Sequence, residues 1–457
     1  MHRAAAILAL SVIPLVPGPV ELLAQDSTSA RADTTALAPV VAVQTAGPQP
    51  IGLNDAVGRA QRYSPLAVQA RGQLRNAGAQ RIAAYAAFLP SITINAQRSY
   101  ASGSFLGEGG QIIRFAGTPY SSSDGLNAQL VLFDGGRRLF DIRNARAAGD
   151  LASANEITQR YTIALNVKQA FFNVLAAREL EGAALAQLEQ AERNLLVASA
   201  RVEAGAAIRS DSLRAALQVQ NARLAIVTAR NQLRSANASL TRQVGSEQEV
   251  TADPADTADV AALQLDSTQL ARLAAEGPVL DQAVASRNAA KAQLRSAWSD
   301  YLPNVTLGFN RSGTGFDGKF GQGDPWAYFS SANITASFPV FTRFTREQQR
   351  VQADVTADNA EAQLRDTRLL VRQQLAQFLG DYQAAEQQIA IQEVAVATAD
   401  ADLQQLQERY RVGASTQLDL LTSQTALFQA RAALIQARYN QRVARANIEA
   451  LVGRDLR

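Results

Sequence analysis

The sequence of 457 residues contains no cysteine, and its only histidine and methionine are His2 and Met1. If the N-terminus is removed, the mature chain therefore has no thiol, imidazole or thioether. This excludes Cys and His nucleophiles, disulfide bonds and zinc sites built from these side chains. Catalysis by carboxylates alone stays open, but an ordinary enzyme of this composition would be unusual. We expect no enzyme activity, no cofactor and no metal site.

The sequence also lacks a strong excess of one charge. Its 44 Lys and Arg residues against 41 Asp and Glu residues give a net charge of +3, and the basic residues are nearly all arginine. Because the charges nearly balance, nucleic acid is a poor candidate partner.

Long apolar runs are scarce. One run, residues 4–16, follows Arg3 and precedes a small-residue sequence that ends at Ala24. This order predicts a secretory signal peptide over residues 1–24, with a short buried helix as the alternative. No later run approaches the roughly 20 apolar residues of a membrane-spanning helix. An exported chain of this kind can cross a membrane only as β-strands.

Proline is unevenly placed along the chain. Residues 25–50 are rich in Pro, Ala, Ser and Thr and predict a disordered leader. By contrast, residues 120–253 and 340–457 contain no proline and are rich in Ala, Leu, Gln, Arg and Glu, which favour helices.

These helix-rich stretches belong to two copies of one repeat. Residues 88–94, FLPSITI, recur as residues 301–307, YLPNVTL, at an offset of 213. Downstream the offset is 208, so the second copy has lost 213 − 208 = 5 residues in a loop between its strands. We assign repeat 1 to residues 51–250, a linker to 251–263 and repeat 2 to 264–457.

Each copy reads as a helix, two strands, a long helix and a further helix. The strand segments alternate apolar and polar residues with period two. The predicted elements of repeat 1 are strands at about 91–101 and 125–133 and helices at 137–204 and 208–247. Those of repeat 2 are a helix at 279–300, strands at about 304–312 and 329–341, and helices at 345–412 and 416–452.

The long helices have apolar stripes on two neighbouring faces. One stripe places leucine at 420, 427 and 434, and the next places Leu421, Phe428 and Ile435, each with a step of seven. Two adjacent stripes give every helix a neighbour on both sides, as in a ring of coiled helices. A two-stranded coiled coil would need only one stripe.

Four strands cannot close a membrane barrel, because such barrels begin at about eight strands. An unpaired edge in lipid would cost several kcal/mol for each backbone group. Three copies would supply twelve strands, with an apolar face toward lipid and a Ser, Thr, Asn and Gln face toward a wet lumen. The alternative is a small sheet packed on a helical domain.

Two motifs within this layout resemble a known family. Phe133-Asp134-Gly135-Gly136 at a strand exit, and the sequence RYRVG at 409–413 followed by Asp419, look like the TolC-type outer membrane efflux proteins. The resemblance covers residues 51–457. It implies a mixed α/β membrane channel, a homotrimer with a 12-stranded antiparallel β-barrel, four strands per chain, and a long periplasmic coiled-coil α-helical barrel.

The resemblance also implies a function, partners and a location. The chain would be the passive exit duct of a tripartite efflux pump or type I secretion system in the outer membrane. Its partners would be outer membrane lipid, a periplasmic adaptor protein and an inner-membrane transporter of the RND or ABC class. The alternative function is a periplasmic coiled-coil adaptor or structural protein without a pore.

The two helix–helix turns around Gly205 and Gly413 are candidate docking tips. Glycine is expected at such turns simply because it adopts positive φ at a helix C-terminus. The resemblance implies that adaptor hairpins also grip these tips. The residues concerned are Ala204, Gly205, Ala206, Ala207, Val412, Gly413, Ala414 and Ser415.

A candidate periplasmic gate lies beside the tips. By resemblance, three copies of Asp419 form an inward acidic ring, and Asp211 and Tyr410 link neighbouring coils. The alternative for both aspartates is a position in the first helical turn that the helix dipole favours. The sequence departs from the family where a second acid would fall at Thr422 and a linking arginine at Ser415. The gate network is then expected to involve Arg409, Arg201 or Arg209 instead.

Overall fold

The computed structural model describes residues 47–100, 103–107, 109–114, 120–256, 266–316 and 326–456. The predicted signal peptide, 1–24, and most of the predicted leader, 25–50, lie outside these residues. The end of the leader does not: Gln49 and Pro50 belong to a short strand, β1 (Gln49–Ile51), which pairs in parallel with β6 (Val250–Ala252). The prediction of disorder up to residue 50, and of a linker from 251, is therefore wrong at these positions, because the two segments satisfy each other's backbone groups.

Repeat 1 contains two helices before its strands and two further helices after them. In chain order its elements are α1 (Leu53–Tyr63), α2 (Pro65–Ala86), β2 (Ser91–Tyr100), the short β3 (Ser104–Leu106) and β4 (Ile112–Arg114), β5 (Tyr120–Phe133), α3 (Arg137–Glu203) and α4 (Arg209–Val244). Ser64 caps α2, since its side chain accepts a hydrogen bond from the Ala67 N–H at 3.2 Å, and Pro65 occupies the first helical position.

Repeat 2 follows the same order. It contains α5 (Ser267–Ala274), α6 (Pro278–Ser296), β7 (Asn304–Phe316), β8 (Trp326–Ser337), α7 (Thr345–Arg411) and α8 (Gln417–Val452). The long helices α3 and α7 have 67 residues each, and α4 and α8 have 36 each. At 1.5 Å per residue, each long helix extends about 100 Å.

Several element ends differ from those predicted. The strand expected at 329–341 begins at Trp326 and ends at Ser337, because Pro339 has no N–H to donate to a strand ladder. The strand expected at 125–133 begins at Tyr120, which pairs with Tyr100. The helix expected at 279–300 ends at Ser296 and continues as a 3₁₀ turn to Tyr301.

The four long strands form one antiparallel sheet in the order β2-β5-β7-β8. The central pair, β5 and β7, joins the two repeats, with Asn127 opposite Asn310. Each repeat also has its own helical core. Phe171 of α3 and Leu240 of α4 are fully buried in one cluster. Leu270 of α5 and Ile448 of α8 are fully buried in a second cluster, together with residues of α7. Among the described helices, none combines the length and the apolar character needed to cross a membrane.

Candidate functional site at the helical tips

Each long hairpin turns at a glycine in the left-handed backbone region. The φ angle is 69° at Gly205, between α3 and α4, and 81° at Gly413, between α7 and α8. The Ala206 N–H donates to the Arg201 carbonyl at 2.8 Å. The Ala414 N–H donates to the Arg409 carbonyl at 2.7 Å. This is a Schellman helix end, so the turn itself requires both glycines.

The small residues of the two tips are largely accessible. Val412 is 70% exposed, and a Cβ added at Gly205 would meet no atom within 4 Å. Ala207 and Ser415 are half-buried, and the Ser415 Oγ donates to the Leu406 carbonyl at 3.3 Å. The remaining predicted tip residues, Ala204, Ala206, Gly413 and Ala414, are exposed. A second surface could therefore approach the backbone of both turns closely.

Asp419 lies in the first turn of α8 and forms a capping box with Thr416. The Thr416 N–H and Oγ1–H donate to Asp419 Oδ2 at 3.0 and 2.7 Å, and the Asp419 N–H donates back to Thr416 Oγ1 at 3.2 Å. The Thr416 hydroxyl, then its N–H, hold the pKa of Asp419 below its usual value, and the charge of Arg409 lowers this pKa further. The carboxylate is exposed. Asp419 therefore has a helix-capping role within the single chain, as expected for an acid in the first turn of a helix.

Asp211 occupies the equivalent first turn of α4. It forms an ion pair with Arg214 at 3.6 Å and is itself half-buried. Unlike α8, α4 has no side-chain cap: its N-cap residue is Ile208, whose carbonyl accepts from the Asp211 N–H at 2.9 Å. An acid at this position stabilises the helix through its interaction with the positive end of the helix dipole.

Tyr410 and Arg201 connect the two hairpins. Arg201, at the end of α3, stacks on the Tyr410 ring with its guanidinium carbon 4.5 Å from the ring centre, and its Nη1 donates to the Tyr410 carbonyl. Tyr410 is 7% exposed. Burial raises the pKa of Tyr410, the charge of Arg201 lowers it, and the charge of Asp211 raises it. Three predicted gate residues thus lie within electrostatic reach of one another.

The other candidate arginines act locally. The Arg409 side chain donates to the Ala414 carbonyl at 3.5 Å across its own turn, and the carbonyl of Arg209 accepts from Ser212. Thr422, at the position expected for a second acid, donates back to the Leu418 carbonyl at 2.9 Å. Of the arginines considered from the sequence, Arg201 is the one whose side chain spans the two hairpins within the described structure.

A line of buried amides on α8 was not predicted from the sequence. Gln417 is 2% exposed and Gln424 is 8% exposed, and neither Gln417 side-chain atom nor Gln424 Nε2 has a hydrogen-bond partner in the described part of the chain. They alternate with Leu420 and Leu427 at helical spacing, and this is the signal that could have indicated a buried polar seam. Unpaired buried amides weaken the packing of a seam.

The described residues also contain no group of three or more His, Cys, Asp and Glu side chains arranged to hold a metal ion.

Comparison with known proteins decides the family. Residues 57–246 and 270–454 match the family described as outer membrane efflux protein. The chain belongs to this family. It is 26% identical over 404 residues to the outer membrane protein TolC of Escherichia coli K12, covering 83% of this chain and 79% of that protein. It is also 26% identical over 352 residues to the protein CyaE of Bordetella pertussis, covering 73% and 70%.

Solved outer membrane channels share the fold. The CmeC channel of Campylobacter jejuni superposes with a TM-score of 0.74 at 15% identity, covering 88% of this chain and 85% of that one. The VceC protein of Vibrio cholerae superposes with a TM-score of 0.69 at 19% identity, covering 89% and 97%. The fold class, the function as an outer membrane efflux channel and the outer membrane location predicted from the sequence are confirmed. The alternative of an adaptor without a pore is not retained.

Proposed function

We propose that three copies of this efflux protein form a passive exit duct, closed by a shared barrel of twelve strands. The edges of the sheet support this assembly. In the described structure β2 and β8 each pair on one side only. Ile94 on β2 is 79% exposed and Ile334 on β8 is 69% exposed, as expected for strands that face lipid. Edge backbone groups left unpaired in a bilayer would cost several kcal/mol each, and pairing β8 with β2 of the next copy removes that cost.

The internal repeat gives a register for this seam. Within the chain, β5 of repeat 1 pairs with β7 of repeat 2, with Asn127 opposite Asn310. The offset of 208 converts Asn127 to Thr335 on β8, and the offset of 213 converts Asn310 to Gln97 on β2. We therefore propose that Thr335 of one copy lies opposite Gln97 of the next copy.

The helical tips supply the partner surface of the proposed complex. A periplasmic adaptor would dock on Ala204–Ala207 and Val412–Ser415, because the small side chains there permit close approach. An inner-membrane transporter of the RND or ABC class would deliver the cargo through that adaptor. The chain itself would contribute no enzyme activity, since the mature sequence offers no thiol or imidazole for catalysis.

The gate would be formed where the hairpins converge. We propose that Asp419 of three copies forms an acidic ring, and that the Arg201–Tyr410 contact, with Asp211 and Arg409 beside it, holds the hairpins together. The buried and unpaired amides of Gln417 and Gln424 support a hairpin packing that can open, because these amides are not satisfied within the single chain.

The test uses purified protein in mild detergent and in planar bilayers. Light scattering should give three copies per particle, and the reconstituted protein should conduct ions. A stable, helical monomer in mild detergent, or a trimer without conductance under any applied voltage, would refute the proposal.

A further inference from the structure

One face of the sheet is polar and the other is mostly apolar, except for two arginines. One face presents mostly Ser, Thr, Asn and Gln, such as Thr93, Asn127 and Thr335. The other face presents Ile94, Phe309 and Ile334, which are 79%, 40% and 69% exposed. Within the proposed barrel this second face meets lipid. By register, Arg98 and Arg311 lie on the same apolar face.

These two arginines occupy equivalent positions of the two repeats. Arg98 and Arg311 are separated by the repeat offset of 213, and each lies in a strand that starts seven residues earlier. Each stacks on a tyrosine: Arg98 lies 4.8 Å from the ring centre of Tyr120, and Arg311 lies 5.0 Å from that of Tyr328. The tyrosines are themselves separated by the offset of 208. An arginine–tyrosine pair is thus present once in each copy of the duplication.

Both pairs lie toward the strand ends that point away from the helices. The helices leave the sheet at Ser91, Phe133, Asn304 and Ser337. At about 3.3 Å per residue, each arginine is about 23 Å along its strand from that end. Since the helices are periplasmic, the arginines lie toward the extracellular end of the barrel. An arginine facing lipid is costly at the bilayer midplane and costs little near the interface.

The surroundings of the arginines favour an anion at the lipid boundary. None of the ion pairs formed among the described residues includes Arg98 or Arg311, and both side chains are exposed. An aromatic belt surrounds them, with Tyr100 against Tyr120 at 5.1 Å and Trp326 against Tyr328 at 6.3 Å between ring centres. Trp326 covers Gly313 and Gly315, where any Cβ would collide with its ring.

One acid shares this face. Asp124 lies opposite Gly313, between the two arginines, and its Oδ1 is buried without a hydrogen-bond partner in the described residues. Its charge opposes an anion bound across the middle of the sheet. A bound anion is therefore expected at the arginine ends, beside Tyr120 and Tyr328, rather than between them.

We propose that each arginine–tyrosine pair binds the phosphate group of an anionic outer-leaflet lipid whose acyl chains lie against the apolar face of the sheet. Guanidinium groups bind phosphate through paired charge-assisted hydrogen bonds, and the apolar face below supplies the contact for the chains. The inference rests on the proposed barrel, which sets this face toward lipid. With two sites in each chain, the barrel of a trimer would contain six such sites.

The experiment compares two lipids that differ only in phosphate. Full-length protein in mild detergent is mixed with diphosphoryl lipid A or with its dephosphorylated form, and bound lipid is counted by native mass spectrometry. We expect the phosphorylated lipid to bind roughly tenfold more tightly, and inorganic phosphate at equal concentration not to compete. The variant Arg98→Gln/Arg311→Gln should lose this preference, and Arg98→Lys/Arg311→Lys should keep part of it. Asp124→Asn should strengthen binding.

The matched control is Arg368→Gln/Arg372→Gln, which removes two exposed arginines from α7. It should bind lipid A as the unchanged protein does. Equal binding of the two lipids by the unchanged protein, equal loss in the control, or weaker binding by Asp124→Asn would overturn the proposal. Particle mass and conductance are measured on the same samples. A conducting trimer without lipid preference refutes this inference alone, whereas failure to form a trimer refutes the proposed channel.

Discussion

At the residue scale, Asp419 has a structural contact that must be separated from its proposed place in the gate. Its carboxylate caps α8 through Thr416 within one chain. Its exposure leaves it free to face the pore axis in an assembly. The two roles predict different results for two substitutions, because one removes the charge and the other removes only the capping hydroxyl.

We predict that Asp419→Ala lowers the cation selectivity of the reconstituted channel and its block by trivalent cations. Thr416→Val keeps the carboxylate and should leave both properties near those of the unchanged protein. Reversal potentials in a salt gradient measure the selectivity. If Thr416→Val and Asp419→Ala have the same effect, the ring is not the source of selectivity.

The pKa of Asp419 sets the pH range of this effect. Because the Thr416 hydrogen bonds lower the pKa in the folded chain, the capping contact stabilises the fold above the unfolded pKa and is lost as pH falls through the folded pKa. Because the pKa is lowered, selectivity should therefore persist as pH falls from neutral into the ordinary aspartate range and decline only below that range.

Arg201 is expected to hold the gate closed. We predict that Arg201→Gln raises the open probability of single channels, because it removes the stack on Tyr410 and the bond to the Tyr410 carbonyl. Tyr410→Phe is the matched control: the hydroxyl has no partner in the described residues, so the ring alone should keep the channel closed. Equal opening by both variants would place the closing contact elsewhere.

Residue roles at this site could be predicted only in part from the sequence. The repeat offset identified both tip glycines and both aspartates. The partners of these residues could not be predicted, because the contact of Arg201 with Tyr410 joins residues about 200 positions apart and depends on how the hairpins pack. The capping box is indicated in the sequence by Thr416 three residues before Asp419, a second reason besides the helix dipole for an acid at this position.

At the scale of elements, substitutions at the two hairpin turns can distinguish the effect of side-chain bulk from the effect of backbone strain. We predict that Ala206→Trp and Ala414→Trp abolish export while the trimer still forms, since these exposed positions have negative φ and accept a side chain. Gly205→Ala adds little bulk but forces alanine into the left-handed region, at a cost of about 1 kcal/mol, and should still export. Export of a reporter substrate by cells expressing each variant is the measurement. Normal export by both tryptophan variants would show that the tips are only turns.

An ion network joins α3, α8 and the chain end, with Lys168, Glu449 and Arg445 largely buried and Asp455 exposed. Lys168 Nζ lies 2.7 Å from Glu449 Oε2 and 2.8 Å from Asp455 Oδ1, and Arg445 lies 3.2 Å from Glu449. Burial lowers the pKa of Lys168, but the hydrogen bonds that Lys168 donates to Asp455 and Glu449 outweigh it, so the pKa rises above its ordinary value of 10.5. The pairing therefore stabilises the fold fully below pH 10.5 and loses this contribution as pH rises through the folded pKa.

We predict that Lys168→Gln lowers the free energy of unfolding by about 2 kcal/mol, because Glu449 keeps Arg445 but loses a buried partner. Arg193→Gln is the control, since its pair with Glu189 is well exposed and is worth less than about 1 kcal/mol. Denaturant unfolding in mild detergent at neutral pH measures both. The same stability for the two variants would contradict a structural role for the network.

The long elements were predictable because their signals are periodic. Alternation located all four long strands of the sheet, and proline-free helix formers located α3, α4, α7 and α8. The pairing of β1 with β6 was not predictable, because three-residue strands contain no measurable alternation and their partners are about 200 residues apart. The helix α5 was not predicted, because it has only 8 residues after its Asp266 cap and directly follows the predicted linker.

At the scale of the whole molecule, duplication explains how one chain supplies part of a closed channel. Each repeat provides two strands and two long helices, and the pairing of β5 with β7 inside the chain serves as the pattern for pairing between chains. The absence of cysteine from the sequence makes the seam directly testable, since any engineered disulfide will be the only one.

The most direct test is therefore a disulfide across the seam. The variant Gln97→Cys/Thr335→Cys should form intermolecular disulfides on oxidation and yield a covalent trimer on a denaturing gel, because closure around a ring links all three chains. The control Ser91→Cys/Thr335→Cys moves one thiol six residues along β2, beyond disulfide reach, and should remain monomeric on the gel. A covalent trimer from the first variant alone is the result that twelve-stranded closure predicts, and monomers from both variants after complete oxidation would contradict it.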